Sequence, residues 1–156
     1  MNLVYRHPSG GSLWQGGMTS SGSVRTLENA RIKAVVFAAV EFQPKLPDRY
    51  DVLRARLYDN PFMNPLEARK VAHCADEVSD MLAAYVAGGE NVLSSCWAGW
   101  NRSGLLSALT IMKLTGMPAE AAISRIRAAR GSSALGNPVF VRIVKDAERR
   151  RLARTA

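Results

Sequence analysis

Apolar positions recur along the chain in two rhythms. Residues 32–39 (IKAVVFAA), 52–57 (VLRARL) and 92–95 (VLSS) are short apolar runs bounded by polar or turn-forming residues, which predicts strands. Residues 3–5 and 13–14 are weaker strand candidates, and the Gly, Ser and Thr residues between Ser9 and Ser23 predict a loop-rich stretch. After the second strong strand the period becomes helical, with Val71, Ala75, Val78, Leu82 and Tyr85 on one face. Asn64 as N-cap, Pro65 at the first helical position and Glu67 three residues after the cap form a variant capping box, and Gly88-Gly89 ends the helix. Further helices are predicted over residues 102–115 with Gly116 at the end, over 118–130 with Gly131 after it, and from Pro138 behind Asn137 to about residue 154. Strands alternating with helices, followed by a helical C-terminal half, predict an α/β fold with a central mixed sheet of about four to five strands flanked by helices.

Composition narrows this picture. A chain of 156 residues with 47% hydrophobic and 22% charged residues is expected to form one domain over a single core, which excludes disorder as its main state. The net charge of +8 favours anionic partners such as phosphorylated ligands or acidic proteins. Arg149, Arg150, Arg151 and Arg154 crowd the C-terminal helix; this is read as a solvated face, and a nucleic-acid partner is not expected. No stretch of about 18 apolar residues occurs and the first ten residues carry no leader pattern, so a cytoplasmic protein without a membrane partner is expected. Two cysteines, Cys74 and Cys96, cannot make a disulfide framework, although one bridge between them stays open. His7 and His73 lie far apart and poorly supplied with carboxylates, so no metal site is expected; no nucleotide-binding glycine pattern occurs and no cofactor is expected.

The chemistry concentrates in residues 92–106, VLSSCWAGWNRSGLL: a strand, a loop holding Cys96, Gly99, Arg102 and Ser103, then a helix. A sulfur at the end of a strand and facing a helix N-terminus meets unpaired backbone N–H groups and the positive end of the helix dipole, which favour the nucleophilic thiolate. The same amides of Trp97, Ala98, Gly99, Trp100 and Asn101 form a nest for phosphate oxygens. Arg102, six residues after Cys96, can fold back and hold two of those oxygens with its planar fork, and Ser103 can hydrogen-bond the sulfur. With 16 arginines in the chain a bare Cys-x5-Arg means little; Gly99 and Ser103 in their places, and the flanking strand and helix, make the pattern specific. Cys74 is the internal contrast, since Asp80 stands where the arginine would be and the capped helix runs through it.

This loop resembles the signature His-Cys-x2-Gly-x2-Arg-Ser/Thr of cysteine-dependent protein phosphatases, in particular the small dual-specificity (VH1-like) group. Leu13-Trp14-Gln15-Gly16 is similar to the family's early Leu-Tyr-x-Gly segment, residues 32–37 to its strand after the first helix, and Arg130 with Asn137 to its late Arg and Asn pair. The resemblance implies a phosphatase-like fold over residues 1–156 and hydrolysis of phosphomonoesters, phosphotyrosine in proteins foremost and phosphoserine or phosphothreonine beside it, through a phosphocysteine without metal. It also implies an aspartic acid on the loop after the strand that precedes the long helix. Asp59 holds that place, to protonate the leaving oxygen and then activate water; Asp48 and Asp51 are fallback acids.

The sequence departs from the family pattern at Ser95, where a histidine is usual, and at Asn101, where glycine or serine is usual. Asn tolerates left-handed backbone angles, so the loop is expected to close. Trp97 and Trp100 add bulk that either packs under neighbouring loops or walls an aromatic phosphoester. Arg127 and Arg130 either anchor loops or meet a second phosphate, anchoring being expected. Two alternatives remain: a phosphate-ester binding module with little turnover, suggested by Ser95 and the tryptophans, and a phosphatase of RNA 5′ ends or another non-protein ester, suggested by the basic tail.

Overall fold

A computed structural model describes residues 1–156. The chain runs β1 (Asn2–Arg6), β2 (Ser12–Gly16), α1 (Met18–Ser21), α2 (Val24–Asn29), β3 (Ile32–Ala39), β4 (Asp51–Leu57), α3 (Pro65–Ala87), β5 (Asn91–Ser95), α4 (Arg102–Thr115), α5 (Ala119–Arg130) and α6 (Pro138–Thr155). The five strands form one mixed sheet in the order β1-β2-β5-β3-β4, antiparallel between β1 and β2 and parallel at the other three pairings. This is the α/β architecture that the pattern predicts.

Side-chain alternation along the strands divides the core. Ala34, Val36 and Ala38 of β3 and Val92 of β5 face the larger cluster, which takes in the buried residues of α3, α4, α5 and α6. Val35, Phe37 and Leu93 face a cluster of only six buried residues that includes Leu27 of α2 and Tyr50. The four longer helices therefore pack on one face. Asn64 caps α3 through a complete capping box, its Oδ1 accepting from the Glu67 amide while the Glu67 carboxylate accepts from the Asn64 amide, both at 2.9 Å.

The weaker strand candidate at residues 13–14 lies within β2, and the stretch around it is less loop-rich than expected. The segment from Ser9 to Ser23 contains all of β2 and α1, and its last residue caps α2 by accepting from the Thr26 amide. Small polar residues mask the strand signal, but Ser12 and Gln15 are buried because β2 lies between β1 and β5, where both edges are paired. Leu3–Tyr5 likewise belongs to a five-residue strand. α5 begins one residue later than predicted, with Pro118 in extended conformation as its N-cap.

Because β2, β5, β3 and β4 are parallel, their C-terminal ends lie along one edge of the sheet, at Gly16, Ser95, Ala39 and Leu57. Open α/β sheets place ligands at that edge. Gly17, Cys96, Glu41 and Asp59 follow those ends by one or two residues. On β4 the edge is shaped by a bulge: the register moves from Phe37 opposite Arg54 to Ala39 opposite Leu57, three residues against two, and Arg56 takes a left-handed φ of 48°. Leu57 is buried beside Ala55, and beyond it Tyr58 and Asp59 are exposed.

Candidate functional site

Cys96 leaves the end of β5 and is 3% exposed. Its amide donates to the Gly16 carbonyl at 3.4 Å, and its Sγ is hydrogen-bonded to Ser103 Oγ at 3.3 Å, the hydroxyl being the donor when the sulfur is a thiolate. The carbonyls that follow all turn outward. Trp97 O accepts from the Met18 amide, Ala98 O from Arg130 Nη2, Gly99 O from Gln15 Nε2 and Arg130 Nε, and Trp100 O from the Leu135 amide. None of the amides from Trp97 to Asn101 has a partner within the protein. A loop whose carbonyls are all tied to its surroundings and whose amides are all free has the polarity of an anion nest. α4 adds its first-turn amides to this group, since Asn101 caps it without a side-chain bond.

Gly99 is required for that geometry. It has φ +77°, and a Cβ there would stand 2.4 Å from Gly16 C and 2.6 Å from Gly17 N and Arg130 Nη2. Arg130 grips the outside of the loop and also donates to Asn2 Oδ1, while Arg127 donates to the carbonyls of Ala134 and Leu135. Both arginines anchor loops, as the sequence reading expects.

Arg102, 6% exposed, is gripped by Glu41, a residue that the sequence reading missed. Its Nη1 donates to Glu41 Oε2 at 2.6 Å and to the Leu57 carbonyl at 3.2 Å, and its Nη2 donates to Glu41 Oε1. The end of the guanidinium is thus occupied, while Nε is buried and unpartnered. Nε and the second proton of Nη2 form the other edge of the fork, which has no partner within the protein and the geometry to hold two anionic oxygens. Burial works against the charge of Arg102, but the Glu41 bond and the negative charges of Cys96, Glu41 and Asp59 outweigh it and raise its pKa. Glu41 is lowered, chiefly by the bond from Arg102 with burial opposing. No local pattern marks Glu41; its place two residues beyond a parallel strand was the only available signal.

Asp59 is exposed, with Oδ2 accepting from Asn101 Nδ2 at 2.9 Å and Oδ1 from Asn137 Nδ2 at 2.8 Å. It is thereby joined to the Cys96 loop. Asp51 lies at the opposite end of β4, bonded to Tyr85 and Lys33, so it does not share the site. Ser95 is fully buried and donates to the Val36 carbonyl at 2.6 Å, tying β5 to β3 where the family pattern has histidine. Trp97 and Trp100 are 47% and 45% exposed, and Trp97 meets Phe42 edge-on. The ring faces are therefore not packed away under neighbouring loops. Both cysteines are free, and the histidines are remote: His7 pairs with Ser9 and His73 with Glu77 on the surface of α3. No helix is long and apolar enough to cross a membrane.

No protein-family model matches the chain, and neither does any curated protein. Solved structures do. Human DUSP28 superposes with a TM-score of 0.80 at 20% identity, covering 99% of each chain. The human tyrosine phosphatase-like serine/threonine/tyrosine-interacting protein gives 0.76 at 19% identity over 97% of each chain. Tk-PTP in its active form gives 0.69 at 21% identity, over 94% of this chain and 95% of its own. At such identities the shared property is the architecture, and this chain has the fold of the small dual-specificity phosphatases.

Proposed function

We propose that the protein is a phosphomonoester hydrolase acting on phosphorylated proteins, phosphotyrosine foremost, through a cysteinyl-phosphate intermediate. The observation that carries this reading is the polarity of the loop from Trp97 to Asn101: every amide free, every carbonyl from 97 to 100 bonded outward, and Cys96 at its base. The amides and the unpartnered Nε–Nη2 edge of Arg102 hold the three non-bridging oxygens and stabilise the charge that grows on them in the transition state. The Cys96 thiolate attacks phosphorus in line: an S–P bond forms, the P–O bond to the leaving group breaks, and Asp59 gives that oxygen its proton. Water then attacks the phosphocysteine, Asp59 takes the proton back, and phosphate leaves with the thiolate restored. Ser103 donates to the sulfur as leaving group in this second step. The chemistry requires no metal or cofactor, and residues 1–156 act as one catalytic domain in the cytoplasm, where free thiols persist.

The uncharged loop side chains favour a monophosphate over polyphosphates, and the exposed Trp97 and Trp100 rings offer apolar surface to an aromatic ester. The basic tail gives no support to an RNA end as substrate. Arg149 lies twelve residues along α6 from Asn137, about 18 Å at the helical rise.

The test is phosphate release from a phosphotyrosine peptide in the presence of a chelator, with Cys96→Ser beside the wild type. Release that survives the chelator and disappears in the variant is expected. Binding of the peptide without release by the folded wild type would instead make the protein a phosphate-ester binding module.

A further inference from the structure

Asp59 does not sit alone on its loop. Asn101 Nδ2 donates to Asp59 Oδ2 at 2.9 Å, Asn137 Nδ2 donates to Asp59 Oδ1 at 2.8 Å, and the Asn137 amide donates to Asn101 Oδ1 at 3.2 Å. These three bonds close a ring. Asn101 Oδ1 also accepts from the Gly136 amide at 2.8 Å, and Asn137 Oδ1 accepts from the Val139 amide in the first turn of α6. One side chain of the Cys96 loop therefore reaches two other segments at once, the Asp59 loop and the stretch between α5 and α6.

Asn101 is suited to this as no other side chain of its length is. Its amide nitrogen donates to a carboxylate, and its oxygen accepts two backbone amides in the plane of the same group. Serine is too short to do both, and aspartate keeps only the accepting half. The loop following β4 has few other restraints near the site: Tyr58 and Phe62 are 66% and 91% exposed, and the Phe62 amide bonds only within the loop, to Asn60 Oδ1. The two asparagine amides are what hold the carboxylate beside the nest.

We propose that Asn101 is a positioning residue for proton transfer: its side-chain amide registers Asp59 to the phosphate-binding loop, so that the acid and Arg102, the next residue in the chain, move as one unit. The proposal rests on the phosphatase reading above and adds to it a dependence on a side chain that does not itself touch the reacting atoms. A proton matters most when the leaving oxygen is a poor leaving group, so the signature is a change in leaving-group selectivity and not merely a loss of rate.

The experiment compares turnover of phenyl phosphate, whose leaving oxygen needs a proton, with that of 2,4-dinitrophenyl phosphate, whose leaving oxygen does not. Wild type, Asp59→Asn, Asn101→Ser, Asn101→Asp and the Asp59→Asn/Asn101→Ser pair are measured, each first checked for folding by its thermal transition. General acid catalysis is worth roughly 10²- to 10⁴-fold, and Asp59→Asn should lose a factor in that range on the phenyl ester beyond its loss on the dinitrophenyl ester. Asn101→Ser should lose at least about tenfold more on the phenyl ester than on the other, and should change the ratio no further when Asp59 is already Asn. Asn101→Asp keeps the bonds to the 136 and 137 amides, so it preserves loop closure while setting a like charge against Asp59, and should show the same selective loss. Equal losses on both esters, with Asp59→Asn still selective, would overturn the positioning role and leave the phosphatase reading intact. No release from either ester by folded wild type would overturn both.

Discussion

The two cysteines of this chain are a controlled comparison of what surroundings do to one functional group. Cys96 ends a strand, faces the start of α4, accepts a hydroxyl from Ser103 and lies under five unpartnered amides. Cys74 lies in the middle of α3, half-buried, with its Sγ donating to the Ala55 carbonyl at 3.2 Å. Burial raises the Cys74 pKa, and the Glu77 carboxylate one turn along the helix raises it further. Burial and Glu77 both disfavour a thiolate at Cys74, while the site around Cys96 supplies donors. The difference is one of backbone direction: a helix interior spends its amides on its own carbonyls, and the loop between β5 and α4 leaves them without partners.

The comparison breaks most sharply under substitution. Cys96→Ser should lower phosphate release by at least about 10⁴-fold, as loss of a nucleophile does elsewhere. Cys74→Ala should leave the rate within about twofold and cost about 1 kcal/mol in a denaturant titration, the worth of one hydrogen bond. A Cys74→Ala loss comparable to that of Cys96→Ser would end the assignment of the nucleophile.

The next largest effect should come from the scaffold that frees the amides. Gly99→Ala places a methyl group against the Gly16 and Gly17 backbone at a φ of +77°, and no flexible side-chain end can absorb a contact of 2.4 Å to a backbone carbon. A loss of about 3 kcal/mol or more is expected, with activity lost in whatever folds. Gly131→Ala is the comparison. Its φ of 105° and ψ of 158° lie in a region that is essentially glycine-only, but a Cβ there meets nothing within 4 Å, so only the backbone cost of about 1–3 kcal/mol should appear.

A smaller effect concerns Cys74 alone and its response to pH. Because the Cys74 pKa is raised, it stays protonated past the usual thiol range, and in the Cys96→Ser protein iodoacetamide should label it slowly at neutral pH and faster only in alkali. Rapid labelling of folded protein at pH 7 would contradict the burial and Glu77 argument.

What could be read from the sequence follows from the range of each signal. The α3 cap needs only Asn64, Pro65 and Glu67, and the end of α4 only Gly116, which takes the left-handed φ of 71° expected of a C-terminal glycine. The strand, loop and helix around Cys96 lie within fifteen residues, so Cys96, Arg102 and Ser103 are legible together, and the order of elements brings in Asp59. Glu41 is 61 residues from Arg102, and only the pairing of β3 beside β5 brings them together. The ring of Asn101, Asp59 and Asn137 spans 78 residues and depends on where α6 begins. β2 was obscured for another reason: it is polar where buried, because Gln15 reaches under the loop to the Gly99 carbonyl. A residue placed to serve the site erased the alternation that would have marked its strand.

Glu41 offers the finest test, because it acts on the site only through Arg102. Its carboxyl is lowered in the folded chain, chiefly by the Arg102 bond. A lowered carboxyl contributes stability that is fully present above the unfolded-state value and is lost as pH falls through the folded-state value. The thermal midpoint of wild type should therefore exceed that of Glu41→Gln at neutral pH and approach it as the solution is acidified below the ordinary glutamate range. The difference should be small, since the Glu41 side chain is 42% exposed and water screens the pair. The functional consequence should be larger than the thermal one. Without the carboxylate on its Nη1–Nη2 edge, the guanidinium is free to turn its Nε–Nη2 edge away from the nest. Glu41→Gln should then weaken inhibition by inorganic phosphate and raise KM more than it lowers kcat. The opposite split, with kcat falling and KM unchanged, would place Glu41 in the chemistry of the transition state instead of in the orientation of Arg102.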